Sequence, residues 1–243
     1  MIVSNWKAYV ESPELARQLI QRARKLAKRG HNLVLCVPAP YMDMVLDTRS
    51  SVALGAQDIS GTLGGAETGE ITAGTIASVG ATYVIVGHSE RRAMGETDEV
   101  VLEKVRHALA HGLTPIVCIG ERDRDADAQY LKFIRSEIAA VYAPLSQKER
   151  MQIVLAYEPI WAIGKTAAEA ITTTDLTEMV SYIRKVLGEY LPGNAPSRVQ
   201  VLYGGSAEAA NARTLASGTG IDGFLVGHAS TNVAAYTALI EAL

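Results

Sequence analysis

The sequence predicts an α/β protein, a closed barrel in which eight parallel strands alternate with helices. About eight apolar runs of strand length are separated by segments with helical periodicity, and strict strand–helix alternation is typical of a parallel sheet with right-handed crossovers. Eight such units in 243 residues favour a (β/α)8 barrel over a doubly wound sheet. No segment reads as a linker, so residues 1–243 are predicted to form a single domain.

The strands are predicted where apolar runs end in glycine, proline or a polar residue. They cover residues 2–6, 33–37, 52–56, 83–87, 115–119, 153–157, 199–203 and 223–226. Helices are predicted at 13–30, 73–79, 99–111, 126–142, 174–187 and around 209–215, with a closing helix that reaches Leu243. The third unit has the weakest helical signal. The run at 33–37 is continuously apolar, as expected for a strand buried on both faces.

Two stretches outside the strands carry local signals. Ser12 is predicted as the N-cap of the first helix and Pro13 as its first residue. The glycine-rich stretch 58–69 is too long for an ordinary connection, so it is expected to be functional or to serve an interface.

Composition excludes several classes of function. The net charge of -3 provides no basic field for nucleic acid or an anionic membrane. Cys36 and Cys118 lie inside apolar runs, which indicates buried free thiols in a reducing compartment rather than a disulfide. The start of the chain lacks the features of a signal peptide, and no apolar run is long enough to span a bilayer. A cytoplasmic location is therefore expected.

Polar residues and glycine turns follow most of the predicted strands. They are Asn5, Lys7, His88, Glu90, Glu121, Glu158, the segment 204–206, Gly227 and His228. In a barrel these strand ends share one face, so residues far apart in sequence converge. Glycine turns that lead into helices present N–H groups to phosphate. A carboxylate, an imidazole and a lysine suit proton abstraction beside a carbonyl, so a small phosphorylated ligand is predicted.

Each candidate also has a purely structural interpretation. Glu158 could close a strand in an ion pair, and Lys7 could be a solvated surface lysine. His88 could be a satisfied histidine at a helix start, and Gly204-Gly205 could serve a tight turn alone.

Nucleotide and metal binding are not predicted. Gly164-Lys165-Thr166 looks like the end of a P-loop, but Pro159 stands where that motif requires glycine. The histidines lack metal-ligand spacing and the two cysteines are far apart, so no metal site is expected.

Eight short motifs carry a resemblance to one enzyme family. They are Asn5-Trp6-Lys7, Gly55-Ala56-Gln57, Thr68-Gly69-Glu70, and the segments 87–92, 118–121, 157–164, 203–206 and 222–227. In this order, they make the chain resemble the triosephosphate isomerase family from end to end. The resemblance implies a TIM barrel that interconverts dihydroxyacetone phosphate and D-glyceraldehyde 3-phosphate without a cofactor, in glycolysis and gluconeogenesis.

The resemblance also implies catalytic roles. Glu158 would move a proton between two carbons of the substrate. His88 would polarise the oxygen, and a helix N-terminus would keep its imidazole neutral, as is established for this family itself. Lys7 and Asn5 would hold the substrate and its developing oxyanion, with Glu90 as a supporting acid near Lys7.

A lid and a phosphate cup are implied in the same way. The lid comprises Ile160, Trp161, Ala162, Ile163, Gly164, Lys165, Thr166 and Ala167. The N–H of Gly164, Ser206 and the turn at Gly227 and His228 would bind the phosphate, and closure would exclude water. Thr68 matches the family residue that reaches into a neighbouring subunit, so a homodimer is expected.

Three positions depart from the family pattern. The family usually has Thr-Gly between the equivalents of Gly164 and Lys165, which are directly joined here, so a shorter lid with altered opening kinetics is predicted. His228 stands where the family has a second glycine, and Glu67 stands where it usually has an aromatic residue.

Two other functions remain open on the sequence. An aldolase of similar fold could use Lys7 to form a Schiff base, which borohydride trapping would reveal. A non-catalytic barrel could bind a phosphorylated triose without turnover, although the joint presence of Lys7, His88 and Glu158 favours an enzyme.

Overall fold

The computed structural model describes residues 1–47, 49–165 and 170–243, and its eight strands close one barrel. The strands are β1 (Ile2–Asn5), β2 (Leu33–Val37), β3 (Ala53–Ala56), β4 (Tyr83–Val86), β5 (Thr114–Ile119), β6 (Val154–Tyr157), β7 (Val201–Tyr203) and β8 (Gly223–Val226). Each strand pairs in parallel with the next along the chain, and β1 pairs with β8. The predicted (β/α)8 fold is confirmed.

Helices cover the outside of the barrel. They are α1 (Pro13–Ala27), α2 (Met42–Val45), α3 (Ala73–Ser78), α4 (Ser89–Ala93), α5 (Asp98–Ala110), α6 (Gln129–Tyr142), α7 (Gln147–Arg150), α8 (Thr173–Leu187), α9 (Ala212–Ala216) and α10 (Val233–Glu241). Short 3-10 segments lie at Ala39–Tyr41, Ile160–Ala162, Ala195–Arg198 and His228–Thr231. None of the described helices combines the length and hydrophobicity needed to cross a membrane.

The predicted start of α1 is confirmed, whereas two later helix starts were predicted too early. Ser12 Oγ accepts a hydrogen bond from the N–H of Leu15 at 3.1 Å. The helix α6 begins at Gln129 because the Asp125 carboxylate accepts hydrogen bonds from the first N–H groups of the helix. The helix α9 begins only at Ala212, after a loop closed by Asn211, so the turn after β7 does not lead directly into a helix.

The strands bury side chains on both faces. One set fills the barrel interior and consists of Val3, Val34, Cys36, Ile85, Ile116, Cys118, Val154, Ala156, Leu202 and Leu225. The opposite set packs against the helices in a larger core. Both cysteines are buried free thiols, as predicted, and burial raises the pKa of each. The packed interior leaves the open ends of the strands as the place for a ligand.

Candidate active site

The C-terminal ends of the strands surround a cavity of about 360 Å³. Eight residues predicted for the site line it together, namely Asn5, Lys7, His88, Glu158, Gly164, Ser206, Gly227 and His228. Ile163 and Lys165 of the predicted lid line it as well. Barrel closure therefore brings the ends of five strands, β1, β4, β6, β7 and β8, together with the lid to one space.

Lys7 follows β1 in a left-handed backbone conformation, with a φ angle of 48°. Such a conformation costs a residue with a side chain roughly 1–3 kcal/mol, so it persists only where neighbours enforce it. The Lys7 N–H donates to Asn5 Oδ1 at 3.1 Å, and Gln57 Nε2 donates to the Lys7 carbonyl at 2.9 Å. Lys7 Nζ donates to Glu90 Oε1 at 2.6 Å. Backbone and ammonium group are thus both fixed.

His88 is the N-cap residue of α4 and is buried. Its Nδ1 atom accepts a hydrogen bond from the N–H of Glu90 at 3.2 Å. Because an amide N–H donates to Nδ1, that nitrogen carries no proton, and the neutral imidazole holds its proton on Nε2. The ring therefore directs a hydrogen-bond donor toward the cavity.

Glu158 directly follows β6, and only 2% of its surface is exposed. Its Oε1 atom lies 3.1 Å from His88 Nε2, and its Oε2 atom accepts from the Ser89 N–H at 3.0 Å. A Cβ atom at position 204 would lie 2.8 Å from Glu158 Cγ. The absence of a side chain at Gly204 thus provides the space that the Glu158 side chain occupies.

The predicted lid begins as a 3-10 segment directly after Glu158 and Pro159. The indole Nε1 of Trp161 donates to Glu121 Oε1 at 2.9 Å, and the hydroxyl of Ser206 donates to the carbonyl of Ala162 at 3.0 Å. Thr166 and Ala167, which the lid prediction includes, lie outside the described residues.

Glu121 anchors this segment through one oxygen. In addition to the Trp161 indole, Glu121 Oε1 accepts from the Tyr157 hydroxyl at 2.8 Å and from Arg124 Nε at 3.1 Å. The Arg124 guanidinium also lies over the Trp161 ring, 5.1 Å from its centroid. The start of the lid is therefore tied to the loop after β5.

The two glycine turns line the same cavity. Gly204, Gly205 and Ser206 follow β7, and Gly227 caps the 3-10 segment that begins at His228. The eighth turn therefore leads into a short helical segment, as predicted. These residues are partly or fully exposed.

Thr68 is placed away from this cavity. It lies in the loop 63–70, all of whose residues are exposed, and it is not among the described residues that line the cavity. Within the described ranges, no group of three or more His, Cys, Asp or Glu side chains could hold a metal ion.

Comparison with known proteins assigns the family. A family model described as triosephosphate isomerase matches residues 1–243. The chain belongs to the triosephosphate isomerase family. The triosephosphate isomerase of Bacteroides fragilis is 38% identical to it, with 100% of this chain and 98% of that protein covered. The triosephosphate isomerases of Herminiimonas arsenicoxydans and of a Roseiflexus species are each 37% identical, with 100% of this chain and 98% and 97% of those proteins covered.

Some contacts of this triosephosphate isomerase family member have no local signal in the sequence. Glu137, on α6, is 1% exposed, and its Oε2 atom accepts from the Gly120 N–H at 2.8 Å. Its Oε1 atom lies 3.4 Å from Arg92 Nε, which donates to the Gly87 carbonyl at 2.9 Å. Arg92 and Glu137 therefore connect the strand ends that precede His88 and Glu121.

Proposed function

We propose that this member of the triosephosphate isomerase family interconverts dihydroxyacetone phosphate and D-glyceraldehyde 3-phosphate through an enediolate, without a cofactor. One observation carries the proposal. His88 Nε2 and Glu158 Oε1 lie 3.1 Å apart in a cavity that Lys7 also lines. A base, a neutral donor and a cation are the groups needed to move a proton beside a carbonyl.

In the proposed reaction, Glu158 takes the proton from one carbon and returns it to the next. The Nε2–H of His88 donates to the oxygen on which charge develops, and the Lys7 ammonium stabilises that charge. Glu90 supports the position of the ammonium group through its 2.6 Å contact. Asn5 helps to fix the backbone of Lys7, because Asn5 Oδ1 accepts a hydrogen bond from the Lys7 N–H.

Substrate binding requires a rearrangement of Glu158. Its two carboxylate oxygens contact His88 Nε2 and the Ser89 N–H. A substrate oxygen that accepts the hydrogen bond from His88 Nε2–H must displace the carboxylate. The carboxylate then turns toward the substrate carbon. Glu158 is thus freed to act as the base when the substrate forms its hydrogen bond with His88.

The phosphate group is proposed to bind on the side formed by Gly164, Ser206, Gly227 and His228. Glycine turns expose backbone N–H groups, which are suitable donors for an anion. Because Ser206 contacts the carbonyl of Ala162, the phosphate side and the lid are coupled. Lid closure would exclude water, a role for which this family is itself a standard case.

A homodimer is proposed for the assembly. The loop 63–70 is wholly exposed, and the apolar side chains of Leu63 and Met94 are 74% and 78% exposed. Met94 lines a surface groove together with Thr62 and Glu67, and exposed apolar groups that cluster on a surface mark interaction sites. Thr68 lies in this loop. Light scattering on the purified protein tests the assembly, and a monomeric mass would reject it.

A cytoplasmic location and a single functional domain, 1–243, are proposed with the glycolytic role. Cell fractionation tests the location, and recovery of the activity outside the cytoplasmic fraction would contradict it. A single cooperative unfolding transition is expected for one domain, and two separate transitions would contradict it.

The function is tested by a coupled assay of glyceraldehyde 3-phosphate isomerisation on the wild type and the Glu158→Gln variant. Glutamine keeps the size of the side chain but cannot accept the proton. Turnover in the wild type that is lost in the variant supports the reaction and its base together. Absence of turnover in the wild type would reject the proposal.

The same preparation separates the two rival functions. An aldolase that uses Lys7 would give a lysine adduct when borohydride is added with substrate, whereas the isomerase gives none. A binding protein would bind the phosphorylated triose without converting it.

A further inference from the structure

We propose that His228 contacts the substrate and that its imidazolium strengthens binding of the phosphate dianion at mildly acidic pH. The inference rests on the proposed function, because it takes the turn after β8 as part of the phosphate site. His228 is exposed and lines the cavity. His228 thus adds a side chain to a turn that otherwise presents mainly backbone N–H groups to the phosphate.

The His228 ring packs against Tyr9. The two rings meet edge to face, with centroids 5.8 Å apart and planes at 79°. Such pairs contribute about 0.5–1.5 kcal/mol beyond the burial of their area. Tyr9 also lines the cavity. The imidazole is therefore positioned at the cavity mouth, between the loops after β1 and β8.

The backbone beneath the ring is also fixed. The Ser230 hydroxyl donates to the carbonyl of Gly227 at 2.7 Å, and the Thr231 hydroxyl donates to the carbonyl of His228 at 2.8 Å. A Cβ atom at position 227 would lie 3.3 Å from Lys7 Cε, so glycine allows the turn to rest on the lysine side chain. An anion at this turn would thus lie close to both Lys7 and His228.

Histidine is suited to a pH-dependent contribution because its ordinary titration falls between pH 5 and 8. Other ionisable groups line the same cavity, and their effect on the pH dependence must be distinguished from that of His228. They are Lys7, Tyr9, His88, Glu158, Lys165 and Glu208. Glu90 faces the site through its contact with Lys7. A comparison of variants at position 228 isolates the histidine, because these other groups remain the same.

The experiment measures sulfate binding by calorimetry between pH 5.5 and 8.5. Sulfate stays a dianion over this range, whereas a phosphate monoester changes its own charge near pH 6. We expect the wild type to bind sulfate about threefold to tenfold more tightly at the acidic end, the gain from one partly exposed charge-assisted contact. His228→Gln, which keeps a polar side chain without the titrating charge, should lose that increment.

A second histidine provides the matched control. His31 lies beside Met1 and Gly223 at the opposite end of the barrel. His31→Gln removes one imidazole from the protein and should leave the pH dependence of sulfate binding as in the wild type. An equal pH dependence in the wild type and His228→Gln would overturn the proposal, as would an equal loss in both variants.

The binding measurement is independent of turnover, so the two hypotheses can fail separately. Wild-type isomerase activity combined with an unchanged pH dependence in His228→Gln would reject the role of His228 alone. An inactive wild type would reject the isomerase function, whatever the sulfate data show.

Discussion

The cavity has two unlike walls. The side-chain wall is formed by His88 and Glu158 at the ends of β4 and β6. The turn wall is formed by Gly164 and the segments 204–206 and 227–228. On the side-chain wall, His88 and Glu158 are buried and make mutual and backbone contacts. The groups of the turn wall are partly or fully exposed.

This difference bears on the positions at which the sequence is predicted to depart from the triosephosphate isomerase pattern. The motif residues His88 and Glu158 lie on the side-chain wall, whereas the two predicted departures near the cavity, His228 and the joined Gly164 and Lys165, lie on or beside the turn wall. A backbone N–H is present whatever side chain is attached, except in proline, so a turn can change its side chains and still bind an anion. A base and a hydrogen-bond donor that act through side-chain atoms cannot be replaced in this way, because the reaction depends on the position of those atoms.

The largest effect is expected on the side-chain wall. Glu158→Asp withdraws the carboxylate by one methylene, and a misplacement of about 1 Å can reduce a rate about 100-fold or more. We therefore expect turnover to fall by about 100- to 1000-fold, with little change in KM. Steady-state kinetics in both directions measures this, and near-normal turnover would remove Glu158 as the base.

Glu208→Asp is the matched control for that substitution. Glu208 lines the same cavity but follows the turn after β7. The same shortening there should reduce turnover less than tenfold, because exposed turn residues tolerate change. Similar losses in the two aspartate variants would mean that turnover depends equally on both carboxylates that line the cavity, and not on Glu158 in particular.

An effect on stability is expected behind the side-chain wall, at Glu137. Burial raises the pKa of Glu137 to about 8. When a carboxyl has a higher pKa in the folded state than in the unfolded state, folding is most favourable below the unfolded value, and that stability is lost as pH rises through the folded value. Glu137→Gln keeps an oxygen for the Gly120 N–H but cannot ionise. Relative to wild type, the variant should gain about 2–4 kcal/mol between pH 5 and pH 9.

Urea unfolding at pH 5, 7 and 9 measures this difference. Glu178→Gln, an exposed position on α8, removes one carboxylate in the same way without a buried site. Its stability relative to wild type should stay constant across the three pH values. Parallel pH curves for the wild type and Glu137→Gln would show that the buried carboxyl carries no ionisation penalty.

The strands were predictable because each is a short apolar run with a clear end. All eight agree with the structure to within two residues at either end, and the shortening of the seventh to Val201–Tyr203 is among the largest differences. Helix starts were less predictable because they depend on side-chain caps. Asp125 fixes the start of α6 through hydrogen bonds to Gln129 and Tyr130, three residues after the predicted start at Ala126.

The site was predictable where function and strand end coincide. Lys7, His88 and Glu158 each follow a strand closely, so barrel closure alone brings them together. Glu137 was not predictable, because it reads as an ordinary polar residue of an amphipathic helix. Its contact with Gly120 spans 17 residues of sequence and exists only once α6 packs on the barrel.

The smallest effect is expected at the start of the lid, where Trp161 contacts the loop after β5. Trp161→Phe keeps a ring beneath the Arg124 guanidinium but removes the N–H that donates to Glu121 Oε1. Loss of one such hydrogen bond, about 0.5–1.5 kcal/mol, should raise KM about 2- to 10-fold because the lid is held less firmly.

Tyr157→Phe is the control, because it removes a different donor from the same oxygen without changing the lid. A rise in KM confined to Trp161→Phe would assign the effect to the lid, whereas equal rises in both variants would assign it to Glu121, and an unchanged KM would leave the lid without this anchor.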